Sequence, residues 1–157
     1  MKKSLILSLS LALLLSACKK DHNDSTGGNT WNFRGTDYTA ATVVYINGGS
    51  TANLSATATG ATATYAEGLT FVFSTPPTSS GQMLITDSGN PNTVLVSISQ
   101  LSGTTTTFYV NEQTDVMANV NIANGKISVN FPGSIWLHNL ANYNDSAQLS
   151  AGTITQQ

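Results

Sequence analysis

Val116-Met117-Ala118-Asn119-Val120-Asn121-Ile122-Ala123-Asn124-Gly125-Lys126-Ile127-Ser128-Val129-Asn130-Phe131 decides the fold class. Val116, Ala118, Val120 and Ile122 alternate with Met117, Asn119 and Asn121. After Asn124-Gly125, Ile127, Val129 and Phe131 alternate with Ser128 and Asn130. A period of two places alternate side chains on opposite faces of a strand. Asn-Gly is the pair that a tight type I′ hairpin turn demands, because both central residues need positive φ. With that turn, Ala123 opposes Lys126, Ile122 opposes Ile127, Val120 opposes Val129 and Ala118 opposes Phe131. All the apolar groups then share one face, and a slip by one residue would destroy the match.

Working outward, the same grammar recurs in short runs bounded by turn residues. Tyr38 to Ile46 is apolar on both phases around Val43-Val44-Tyr45-Ile46 and stops at Asn47-Gly48-Gly49-Ser50. Leu69, Phe71 and Phe73 form one face of a strand that ends before Pro76-Pro77. Met83 and Ile85 flank Leu84, and Val94, Val96 and Ile98 form a further inward face. Thr104 to Val110, Ile135 to Leu140 and Gln148 to Thr155 complete the series. Ala and Thr alternate from Thr51 to Tyr65 with Leu54 as the one large aliphatic residue, which predicts an edge hairpin of low stability. No segment combines helical periodicity with caps.

About nine or ten short strands predict an all-β domain, first of all an antiparallel β-sandwich. The alternative is an up-and-down β-barrel of lipocalin type, because Gly28-Asn29-Thr30-Trp31 resembles the Gly-x-Trp motif of that superfamily's first strand.

Composition supports strands and excludes some partners. Charged residues are 9% of the chain, against about 25% in average soluble domains, and 22 threonines supply much of the polarity. Thr suits outward strand positions. From Trp31 onward there are two basic residues (Arg34, Lys126) and six acidic ones (Asp37, Glu67, Asp87, Glu112, Asp115, Asp145), a net charge of −4. Nucleic acid is therefore not an expected partner.

The amino-terminal region carries the one specific motif. Lys2 and Lys3 precede an apolar run from Leu5 to Leu15, followed by small residues. These are the parts of a secretory signal, with an apolar run about half as long as a bilayer span requires. Leu15-Ser16-Ala17-Cys18 resembles the lipobox of bacterial prolipoproteins. The resemblance implies removal of residues 1–17, diacylglycerol on the Cys18 thiol and acylation of the new amino terminus. Cys18 is the single cysteine, so no internal disulfide can form. Two or three acyl chains hold a protein at a membrane, whereas one binds reversibly.

Lys19 rather than aspartate after the cysteine implies the outer membrane. The run Cys18-Lys19-Lys20-Asp21-His22-Asn23-Asp24 partly resembles the export tag of surface lipoproteins in Bacteroidota. Residues 18–30 are expected to be the lipidated cysteine and a polar tether, reaching roughly 40 Å at most. Residues 31–157 are expected to form a single β domain.

Signatures of catalysis are missing from the sequence. His22 and His138 have no second His or Cys at zinc-ligand spacing, and neither a Gly-x-Ser-x-Gly elbow nor a phosphate loop occurs. Glu112 and Asp115 read better as part of a solvated loop than as an acid/base pair. Asp87-Ser88-Gly89-Asn90-Pro91-Asn92 offers oxygen ligands of the kind calcium prefers, but the same residues make a turn. No cofactor and no catalytic or metal residue is assigned, and an enzyme is not expected.

Trp136 and His138 share one strand face, opposite Ile135 and Leu137, so one of these pairs looks outward. An exposed Trp can stack on a sugar ring, and Tyr109 and Tyr143 are further candidates for ligand binding. Asp24-Ser25-Thr26 and Asp145-Ser146-Ala147 resemble the O-glycosylation acceptor triplet of Bacteroidota, which implies modification at Ser25 and Ser146.

In architecture and composition the chain resembles the small lipoproteins of Bacteroidota. The expectation is a non-enzymatic lipid-anchored envelope protein that binds or scaffolds an envelope protein or a glycan. The alternatives are a glycan-binding accessory lipoprotein and a lipocalin-like carrier of an apolar ligand.

Overall fold

A computed structural model describes residues 28–112 and 114–157. The signal, Cys18, Ser25 and most of the tether lie outside the described residues. The described residues form twelve strands: β1 (Thr30–Phe33), β2 (Thr36–Asn47), β3 (Ala52–Ala58), β4 (Tyr65–Phe73), β5 (Gly81–Ile85), β6 (Thr93–Ser102), β7 (Thr105–Asn111), β8 (Met117–Ala123), β9 (Lys126–Asn130), β10 (Ser134–Asn139), β11 (Asn142–Ala151) and β12 (Ile154–Thr155).

The hairpin β8–β9 forms with the expected turn and register, except that pairing ends at Asn119↔Asn130, short of the expected Ala118 to Phe131 pair. Asn124 and Gly125 have φ of 54° and 74°, and Ala123↔Lys126, Ile122↔Ile127 and Val120↔Val129 are partners. Ala118, Val120, Ile127, Val129 and Phe131 are buried.

The chain is all-β, and eight of its strands close into an antiparallel barrel in place of the expected sandwich. Around the circumference run β1, β2, β3, β4, β6, β7, β10 and β11, with β11 returning to pair with β1. Each ring strand pairs with the next one in chain order, which is the up-and-down arrangement of the barrel alternative. Excursions interrupt this meander: β5 lies in the β4–β6 connection, the β8–β9 hairpin in the β7–β10 connection, and β12 follows β11. Closure rests on pairs far apart in sequence, such as Trp31↔Ala151 and His138↔Val110, so alternation within single strands could not show it.

The excursions make a second sheet, ordered β5-β8-β9-β12. It joins β6 through a short parallel pairing, Leu84↔Thr93 and Ile85↔Val94. At its other margin Gln157 N–H donates to the Val43 carbonyl of β2 (3.1 Å). The strands β2, β3, β4 and β6 thus form a wall shared by the barrel and the second sheet.

The edge of β6 therefore forks. Residues Ser97 to Ser102 pair with β7, while Thr93 and Val94 pair with β5. At the fork the Val96 N–H donates to the buried Asn111 side-chain carbonyl (2.5 Å), and the Asn111 amide donates to the Glu112 carbonyl (2.6 Å). A similar junction lies where β2 leaves β1. Asn29 accepts the Thr155 N–H on its side chain (2.5 Å), donates its own N–H to Thr153 and accepts the Ala40 N–H on its carbonyl. Buried backbone donors must be satisfied, and asparagine supplies both partners where regular pairing splits.

One core serves the barrel and the second sheet. Phe33, Leu54, Leu69, Phe71, Phe73, Ile98, Leu137 and Leu149 are all 0% exposed. Each such side chain contributes about 1.5–3 kcal/mol on burial. Phe71 meets Phe131 and Tyr45 meets Phe73 edge to face. The first contact ties the shared wall to the segment after β9, and the second braces the wall internally.

The segment after Thr51 overturns its edge-hairpin expectation. β3 is paired on both sides, with β2 and with β4, and Ala52, Leu54, Ala56 and Ala58 are buried. Small side chains stand there beside large ones of β4, Ala52 opposite Phe73 and Ala56 opposite Leu69. An inward alanine makes room for a neighbouring ring, so its low hydrophobic signal conceals a central strand.

Candidate functional site

Two regions of the barrel combine exposed or polar groups in a way that packing alone does not require. The first is the outer face of β7, β10 and β11. Trp136 stands opposite Gln148, and His138 stands opposite Ser146 on one side and Val110 on the other. Ile135 and Leu137 point into the core, so the pair that looks outward is Trp136 and His138. Trp136 is 53% exposed, Tyr143 63%, Leu140 68% and Phe108 48%.

This face has an internal framework. His138 stacks on Tyr143 with ring centroids 4.5 Å apart and planes 8° from parallel. The His138 Nδ1 lies 3.3 Å from the Tyr143 carbonyl, and its Nε2 lies 3.4 Å from Glu112 Oε2. Leu140 N–H donates to the Phe108 carbonyl (2.9 Å), which ties the end of β10 to β7. Ser146 is exposed on the same face.

Tyr109 does not join it. The alternation of β7 sends Phe108 outward and Tyr109 inward, where it is 3% exposed and meets Phe33 edge to face at 5.1 Å.

Tyr109 belongs instead to a second cluster, at the mouth of the barrel, which the sequence reading missed. The Tyr109 hydroxyl and the Asn139 amide both donate to Asp145 Oδ2, each at 2.9 Å. Arg34 Nη2 donates to Asp145 Oδ1, and its guanidinium lies over the Tyr109 ring, 4.7 Å from the centroid. The amide of Asn139, then the Tyr109 hydroxyl, hold the Asp145 carboxyl below the usual carboxylate range, with Arg34 adding to them. Burial raises the Tyr109 hydroxyl, and its bond to Asp145 adds to the effect.

Across the mouth, Glu67 follows the inward phase of Leu69 and Phe71 and is 1% exposed. Burial pushes its carboxyl up to about 7, opposed by a hydrogen bond with Gln100 and by the charge of Arg34. Gln100 is its cross-strand partner on β6. Glu67 Oε1 has no hydrogen-bond partner among the described residues. Tyr38 is nearby, its hydroxyl pushed up to about 12 by burial first and then by the charge of Glu67.

The sequence did carry a signal for this site. Glu67 occupies an inward phase among Leu and Phe, and Arg34-Gly35 forms the β1–β2 turn with Arg34 at a φ of 54°, where Asn or Gly is usual.

The remaining candidates fall elsewhere. Glu112 sits beside His138 on the outer face, and Asp115 lies in the loop before β8. Residues of the Asp87–Asn92 turn line a shallow open groove of about 420 Å³ with Leu84, Thr93 and Thr114. Among the described residues no three His, Cys, Asp or Glu side chains group as metal ligands.

The fold and these two regions define a small closed β-barrel with an aromatic outer face and a charged mouth. No protein-family model, curated protein or solved structure matches the chain.

Proposed function

We propose that the chain is a non-enzymatic lipoprotein, held at the outer membrane through Cys18, whose barrel binds a glycan on the outer face of β7, β10 and β11. The observation that supports this reading is the exposure of Trp136, Tyr143 and Phe108 on one face beside Gln148, Ser146 and Glu112. Aromatic rings offer apolar area to the C–H face of a sugar, and amide, hydroxyl and carboxylate groups bond its hydroxyls. The interlocked His138–Tyr143 pair limits the side-chain freedom lost on binding.

A carrier of apolar ligands is less well supported. An eight-stranded barrel is either filled by side chains or holds one small ligand, and Phe33, Leu69, Phe71 and Leu137 occupy the core of this one. A glycan attached to Ser146 would cover the stacking face, so modification there and glycan binding are competing readings of one surface.

A panel of soluble polysaccharides titrated against the chain tests the proposal. Binding should alter Trp136 fluorescence, and Trp136→Ala should weaken it about 3–10-fold, as loss of one stacking contact implies. Fluorescence unchanged across the panel would count against a glycan. Cys18→Ser should abolish partition into membranes, and continued partition would refute the anchor.

A further inference from the structure

We propose that the barrel mouth is a second binding site, for a small planar organic cation of the guanidinium or amidinium class, whose place Arg34 now holds in part. The ligand would lie between the carboxyls of Glu67 and Asp145.

Arg34 shows what the Asp145 wall accepts. Its guanidinium pairs with Asp145 and lies 4.7 Å from the Tyr109 centroid and 5.8 Å from that of Phe33. A planar cation that donates to carboxylate while stacking on aromatic faces is the chemistry this wall satisfies. Arg34 is not built into the barrel wall, however. It occupies the turn between β1 and β2 with its side chain 41% exposed, at a positive φ that side chains rarely adopt. A residue so placed can swing into solvent without disturbing a strand.

Opposite stands the group that Arg34 leaves unmatched. Glu67 is 1% exposed, its Oε1 has no hydrogen-bond partner among the described residues, and its alternation in β4 directs it into the barrel. A buried acceptor without a donor is costly, and an N–H donor on a cation would relieve it. With both carboxyls ionised they outnumber Arg34 two to one, so the mouth favours one further positive charge. Because Glu67 is raised to about 7, binding should be stronger at pH 8 than at pH 6. The other charged and ionisable groups facing Glu67 here are Arg34 and Tyr38, and the Tyr38 hydroxyl is pushed up to about 12 by burial, outside that interval.

Calorimetric titration of the full chain in detergent with methylguanidinium, at pH 8 and fixed ionic strength, provides the test. Arg34→Asn, which accepts the positive φ, should bind at least tenfold more tightly than the parent. Adding Glu67→Gln to Arg34→Asn should remove at least tenfold of that affinity. Trp136→Ala should leave it unchanged, which separates this site from the outer face.

In the unsubstituted chain the Arg34 Nε–H resonance should shift progressively as methylguanidinium is added. No binding by Arg34→Asn, binding that survives Glu67→Gln, or an Arg34 resonance that stays fixed while methylguanidinium binds would each overturn the proposal.

Discussion

The side-chain carbonyl of Asn111 accepts the backbone N–H of Val96 at 2.5 Å, where β6 exchanges β5 for β7 as its neighbour. One side chain thereby satisfies a donor that neither strand can reach. Asn111→Leu would leave the Val96 N–H buried without a partner, and the expected loss is about 1–3 kcal/mol. Urea denaturation measures it, and a change below about 0.5 kcal/mol would show that the fork does not depend on this bond.

Glu67 predicts an unusual dependence of stability on pH. Its folded pKa of about 7 lies above the ordinary 4.5, so the native state binds the proton more tightly than the unfolded chain. The contribution of Glu67 to stability is then greatest below about pH 4.5, declines through pH 7, and stays reduced above it, by on the order of 3 kcal/mol at most. Glu67→Gln should flatten this decline and stabilise the chain at pH 8. Thermal melts at pH 5 and pH 8 decide the matter, and a parallel decline in both proteins would refute it.

The two tryptophans should report separately. Trp31 is 2% exposed and stacks on Tyr38, whereas Trp136 is 53% exposed. Iodide should quench roughly one emitter and spare the other, and Trp136→Phe should leave an unquenched spectrum with stability altered by less than about 0.5 kcal/mol. Residual quenching in that variant would contradict the burial of Trp31.

Phe71 ties the shared wall to Phe131, with rings 6.5 Å apart. Phe71→Ala should cost about 3–5 kcal/mol. Denaturation followed at Trp31 in the barrel and by amide exchange in β8 should show both regions lost in one transition. Separate midpoints would mean that the second sheet is an independent unit.

Local structure was legible where the determinants are adjacent. Asn124-Gly125 and its flanking alternation dictate both the turn and its register, and the inward faces of Leu69-Phe71-Phe73 and Val94-Val96-Ile98 follow from period two. The ring was not legible, because Trp31↔Ala151 and His138↔Val110 express complementarity between distant segments. β3 was misread because alanine is inward for its smallness, not its hydrophobicity. At the outer face, alternation did separate Trp136 and His138 from Ile135 and Leu137, but Tyr109 was grouped with them although its phase opposes that of Phe108. The mouth combines Arg34, Glu67 and Asp145 from three distant strands or turns, so their charges meet only after the ring has closed.

That closure has a temporal meaning. The first strand pairs with the penultimate one through Trp31↔Ala151 and Phe33↔Leu149, and Gln157 reaches back to Val43. Neither seam can form until both of its distant segments have been synthesised, and topologies dominated by such contacts fold slowly. Closure of the barrel is therefore expected to be limited by the meeting of its two ends, and to come later than the locally specified β8–β9 hairpin.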